Sequence, residues 1–242
     1  MTLMSLLWAI AFGICPQRPS HSLFLGGQQM PIEARMAGMF GGFLIGAAYI
    51  AARGRGRALR LPGRRMSLLL LGFGALLGAD GLNALFVDLG LPHLYTPYNP
   101  IRLATGLLTG LAMAAFLVPT FNSTIWQSGL DVSPLIGLSE VLGAIAVEAV
   151  YFVAALSGSS LLWYPVSLLA VRGVPAVAGM IGYVVAATAT GRTNRAMRLS
   201  QILPLALSGL LIAAVFLLVT SSLRFALFGA GPMELPVRAL VK

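Results

Sequence analysis

The chain alternates long apolar runs with short polar stretches, and most of the runs are too long for the buried face of a soluble helix. Arg35–Ala52, Met66–Leu89, Ile101–Pro119, Pro134–Leu156, Leu161–Thr190 and Leu203–Phe228 all approach or exceed the roughly 20 residues needed to cross ~30 Å of hydrocarbon. Met1–Cys15 is apolar but shorter, and it lacks the basic start and small-residue cleavage signal of a secretory leader. It is expected to be a thin first span or a half-inserted segment. Pro16–Glu33, with Pro16, Pro19, Gly26, Gly27 and Pro31, reads as a loop. The expected fold is all-α: a polytopic transmembrane helical bundle of six spans plus a short N-terminal apolar segment, in one integral membrane domain over residues 1–242.

Composition agrees with that class. Apolar residues make up 58% of the chain and charged residues 10%, with a mean hydropathy of +0.89. A soluble domain carries about a quarter charged residues, so no segment is left for one. The net charge of +9 has a local cause. Six of the sixteen basic residues, Arg53, Arg55, Arg57, Arg60, Arg64 and Arg65, crowd one loop, and Arg192, Arg195 and Arg198 mark another. Arginines beside membrane helices are retained on the cytoplasmic side and attract anionic lipid headgroups, which explains the charge without nucleic acid. Four crossings separate the two loops, so both fall on the same side. That places Arg53–Arg65 and Arg192–Arg198 in the cytoplasm and Gly229–Lys242 outside. Fifteen of the sixteen basic residues are arginine, which with abundant Ala, Gly and Leu points to a GC-rich prokaryotic gene and hence a prokaryotic plasma membrane.

Leu161–Thr190 is long for a single crossing, at roughly 45 Å as one helix. Pro165, Arg172, Gly173 and Pro175 interrupt it. Either it kinks near Arg172–Pro175, or Leu161–Val171 lies along or re-enters the outer face. Small residues recur at fourth positions on two spans: Gly38, Gly42 and Gly46, then Gly106, Gly110 and Ala114. Each set lines one helix face and lets a neighbouring backbone approach closely.

Ionised groups in hydrocarbon are costly unless paired, which singles out Glu140, Glu148, Arg172, Asp80 and Arg102. Glu140 and Glu148 share a stripe, and Arg172 falls between them in depth if its segment crosses from Leu161. The three form a structural clamp or a polar pathway, or else Arg172 is interfacial and the glutamates are satisfied elsewhere. Asp80 and Arg102 make a second candidate pair near the outer side, and Asn83 shares the face of Asp80. One cysteine, Cys15, excludes an internal disulfide and any four-cysteine metal site. The two histidines, His21 and His93, both lie outside the spans, which argues against bis-histidine haem. No phosphate loop, nucleophile triad or metalloprotease helix is present, so no catalytic residue, metal or cofactor is assigned.

Cys15, Pro19, Ser20 and Ser22, then Pro31, Arg35 and Gly38, and later Asp80-Gly81 and Arg102 with Gly106 carry a resemblance. Over residues 1–120 the chain resembles a prokaryotic membrane family catalogued as domain of unknown function 2085, with residues 121–242 adding further helices. Members of that family show Cys-His, Pro-x-Arg-Ser and Pro-x-Cys-x-Arg-Cys-x-Gly segments. Here Pro16 replaces the histidine, His21 an arginine, and Glu33 and Met36 the paired cysteines. The resemblance thus implies a family site made of Cys15, His21, Glu33 and Arg35 in degenerate form. Its thiols suited to metal or redox work are reduced to one.

The expected role is a structural or accessory subunit of a plasma-membrane assembly, with the lipid bilayer and possible further membrane subunits as partners. The alternative is a small-solute or proton-coupled transporter using Glu140, Glu148 and Arg172. An enzyme at the outer face built on Cys15, His21 and Glu33 ranks last.

Overall fold

A computed structural model describes residues 2–228. The order is α1 (Leu3–Phe12), β1 (Ser22–Leu25), β2 (Gln28–Glu33), α2 (Ala34–Ala52), α3 (Arg64–Asp88), α4 (Asn99–Ile125), α5 (Leu138–Leu156), α6 (Trp163–Ala189) and α7 (Leu203–Phe228). Helices α2 to α7 are each long and apolar enough to cross a membrane, as the hydropathy pattern predicts. At 10 residues, or ~15 Å, α1 reaches only half the hydrocarbon thickness. It buries Leu7, Trp8, Ala11 and Phe12 against α6 and β2.

The frame is a clasp between α2 and α4. A Cβ on Gly38 would collide with the Leu103 carbonyl, and one on Gly106 with the Arg35 carbonyl. On Gly110 it would lie 2.5 Å from the Met39 oxygen, and on Gly42 2.7 Å from that of Leu107. The two small-residue stripes read from the sequence therefore face each other, and backbone touches backbone along three turns. Helix α6 packs on the same α2, with Gly173 against the Phe40 carbonyl, and α7 packs on α6 where Gly182 meets Gly209. Helix α3 leans on α4, while α5 lies mainly against α2 and α4.

The structure departs from the sequence expectation in three places. Pro16–Glu33 is not merely a loop: β1 and β2 form an antiparallel hairpin closed by Gly26 and Gly27, with φ of +58° and +76°. Two consecutive left-handed residues suit the tight turn of a two-residue hairpin, which glycine adopts without strain. Helix α4 runs on to Ile125 with Pro119 inside it. Helix α6 is one continuous 27-residue helix with Pro175 inside it, rather than a re-entrant segment followed by a shorter span. Proline is tolerated in such helices because neighbouring groups satisfy the freed backbone. The hairpin caps one end of the bundle, and the arginine loop lies at the other. The expectation for Gly229–Lys242 falls outside the described residues.

Candidate functional site

The densest polar cluster sits at the hairpin end. Cys15 follows α1 and is fully buried. Its Sγ accepts hydrogen bonds from the backbone N–H of Glu33 at 3.2 Å and of Gln17 at 3.4 Å. Burial, helped by the Glu33 charge, pushes the thiol up to about 12, so it carries essentially no thiolate at neutral pH and is a poor nucleophile. Gln17, at φ +58° and fully buried, donates to the carbonyls of Trp8 at 2.9 Å and Pro31 at 2.8 Å. One side chain thus ties α1 to the hairpin.

Glu33 ends the hairpin and begins α2. Its Oε1 accepts from the Arg18 N–H at 3.0 Å and from Arg18 Nε at 3.3 Å. Its Oε2 lies 3.7 Å from His21 Nδ1. Burial works to raise the Glu33 pKa, but His21 and Arg18 together outweigh it and hold the carboxyl below its ordinary range. Arg102, only 5% exposed, lies 3.4 Å from His21 Nε2 and donates to Asn99 Oδ1 at 2.8 Å. An arginine can only donate, so His21 Nε2 accepts and Nδ1 carries the proton toward Glu33. Asn99 in turn donates to the carbonyls of Ser20 and Ser22, pinning the hairpin to the start of α4.

A second pair adjoins this chain. Arg35, in the first turn of α2, binds Asp80 Oδ2 through Nη2 at 2.5 Å and Nε at 3.2 Å. Tyr95 donates to Asp80 Oδ1 at 2.6 Å. Burial, then the hydrogen bond and charge of Asp80, push the Tyr95 hydroxyl up to about 12. Asn83, one turn on from Asp80, accepts from the Leu94 N–H and donates to the Tyr95 carbonyl, both at 2.8 Å. The Asp80 and Asn83 face read from the sequence therefore holds the α3–α4 loop.

The pairings expected from depth alone are corrected. Asp80 takes Arg35, not Arg102, because Arg35 opens α2 directly beside it. Glu140 takes Arg55 at 2.7 Å and Arg53 at 3.5 Å, since it sits in the first turn of α5 level with the arginine loop. Arg172 is exposed on α6 and reaches neither glutamate. Glu148 is 2% exposed, packs against Gly42, and has no hydrogen-bond partner on either carboxyl oxygen among the described residues.

Cys15, His21, Glu33 and Arg35 do come together, but not as a ligand set. Cys15 meets the backbone of Glu33, while the Glu33 carboxylate turns to Arg18 and His21. Among the described residues no group of three His, Cys, Asp or Glu is arranged to hold a metal. Sequence reasoning missed Arg18 and Asn99, and it did not bring Tyr95 to Asp80. Only the proximity of Arg18 to the Cys15 motif could have drawn notice.

At the opposite end three loops are stitched together. Residues 57–60 and 130–132 pair through backbone bonds, closed by the Arg60–Asp131 ion pair. Asn122 donates to the carbonyls of Gly56 and Ala58, and Arg57 stacks 4.3 Å over Trp126. Trp126 and Gln127 join Ala196 of the α6–α7 loop.

No solved structure matches the chain. An uncharacterized protein of the archaeon Methanocaldococcus jannaschii is 26% identical over 121 residues, covering 50% of this chain and 72% of that protein. The family match spans residues 15–116, from Cys15 through the α2–α4 clasp. Over that stretch the chain is similar to the predicted membrane proteins of family DUF2085, as the Cys15, Pro31, Arg35, Asp80 and Arg102 segments imply.

Proposed function

We propose that the chain is a structural or accessory subunit of a prokaryotic plasma-membrane assembly, with the arginine loops in the cytoplasm and the hairpin outside. The observation that supports it is the uneven use of helix surface. Helices α2 and α4 are clasped backbone to backbone, whereas α7 packs along α6 and leaves Leu203, Leu207, Leu211, Leu218 and Val219 58–67% exposed. A rigid centre with a long unfilled apolar flank suits a scaffold that receives another transmembrane helix. A photo-crosslinking side chain at Leu211, in the native membrane, should give a protein adduct of discrete mass. Adducts with lipid alone would contradict the reading.

Glu148 favours a second reading, proton-coupled transport. An ionised carboxylate without a partner there would cost several kcal/mol, so a site of this kind is retained for a function or at a stability cost. The geometry reduces the expected trio to Glu148, because Glu140 is held by Arg53 and Arg55 and Arg172 is exposed. In liposomes a proton-driven flux lost in Glu148→Gln would support transport. Absence of any flux in the natural chain across candidate solutes would leave the scaffold reading standing.

A further inference from the structure

An open groove of about 970 Å³ runs between the start of α3 and the start of α5 at the arginine-loop end. Its walls are apolar, including Leu61, Met66, Leu69, Ile136 and Leu138, while Arg60, Arg64 and Arg65 rim it. The charges on that rim are not equivalent. Arg60 is neutralised by Asp131. Arg64 and Arg65 are exposed and make no ion pair among the described residues.

Both unpaired arginines occupy the first turn of α3, whose N-cap, Gly63, offers no side-chain hydrogen bond. The positive end of a helix ordinarily favours an anion, and two cations there repel the dipole. An anion seated beside Gly63 would answer the free N–H groups and both guanidiniums together. The apolar walls specify what that anion is attached to. Leu61, Ile136 and Leu138 are 56%, 62% and 59% exposed, and exposed leucines continue along both helices at Leu68 and Leu142. A soluble phosphate would leave this surface uncovered, whereas acyl chains would lie along it.

We propose that this groove is a binding site for one anionic phospholipid, with the headgroup phosphate between Arg64, Arg65 and the N-terminus of α3 and the chains between α3 and α5. The site takes the charge that the loop's other arginines have spent internally. Arg53 and Arg55 hold Glu140, Arg57 stacks on Trp126, and Arg60 holds Asp131.

The test uses the full chain in detergent, with bound lipid counted by native mass spectrometry during titration with phosphatidylglycerol or phosphatidylcholine. The natural chain should retain one phosphatidylglycerol in preference to phosphatidylcholine, and inorganic phosphate should not displace it. Replacing both arginines, Arg64→Gln with Arg65→Gln, should weaken retention on the order of thirtyfold, from the usual contribution of each cation at a lipid surface. Gly63→Asp separates binding from folding. A Cβ there meets nothing within 4 Å, and aspartate is a favoured N-cap, so thermal stability should hold or rise. The same carboxylate occupies the phosphate position, so the lipid adduct should disappear. Equal retention of the two lipids, displacement by inorganic phosphate, or undiminished adducts in Gly63→Asp would overturn the proposal.

Discussion

At the hairpin end, Arg18, Arg35 and Arg102 meet Glu33, Asp80, Asp88, His21 and Asn99, and three of these eight residues, Glu33, Asp80 and Arg102, are buried. At the other end nine arginines, six in the Arg53–Arg65 loop with Arg192, Arg195 and Arg198, face two carboxylates, Glu140 and Asp131; Arg53, Arg55 and Arg60 take these, and Arg64 and Arg65 make no ion pair among the described residues. The same side-chain chemistry therefore does different things. At the hairpin end the buried charged groups are held by several partners and fix the hairpin to the helices, since an uncompensated charge there would be costly. Where charge is exposed, pairing is weak in energy, and surplus cations are tolerated because water screens them.

The sharpest way to break this contrast is to remove one partner at the buried end. Asp80→Asn strips Arg35 of its carboxylate and should destabilise the fold by about 3–5 kcal/mol, the usual scale for breaking a buried pair. Thermal unfolding in one fixed detergent measures it. Adding Arg35→Met in the same chain should recover much of the loss, whereas additive losses would show that the pair is not coupled.

Acid should sharpen the contrast at intermediate scale. Glu33 has a folded pKa below its unfolded value, so its contribution is present above the ordinary carboxylate range and is lost as pH falls through the folded pKa. Unfolding temperature should therefore drop as pH is lowered below about 4, and Glu33→Gln should flatten that drop while lowering stability at neutral pH. Identical acid profiles for the two chains would remove Glu33 from the account. The smallest effect belongs to the exposed end. Asp131→Asn breaks the pair with Arg60, whose side chains are 67% and 71% exposed, and should cost no more than about 1 kcal/mol.

Much of the frame was legible because hydrocarbon imposes a length and a periodicity. The six spans follow from apolar run length, and the clasp follows from Gly38, Gly42 and Gly46 recurring like Gly106 and Gly110. Ion pairing was not legible in the same way. Helical rise gives the depth of Asp80, Arg102 and Arg172, but not which helices are neighbours or which way each faces. Arg35 therefore displaced Arg102 as the partner of Asp80. The hairpin did leave a signal, Gly26-Gly27 between two short runs, obscured by the prolines around it. Pro119 also misled, because α4 continues through it to Ile125. The left-handed Gln17 that joins α1 to the hairpin left no sequence mark.

The central claim of the proposed function is that these two ends face opposite sides of a membrane, with the arginine loops inside. Tyr95 lies at the hairpin end and Arg60 and Arg195 at the other, so helices α2 to α7, each long and apolar enough to cross, would set these ends on opposite faces. The direct measurement is a reporter active only outside the membrane, fused in turn after Arg60, near Tyr95 and after Arg195. The account predicts activity at Tyr95 and silence at Arg60 and Arg195. Strong activity at Arg60, or equal activity at Arg60 and Tyr95, would contradict it.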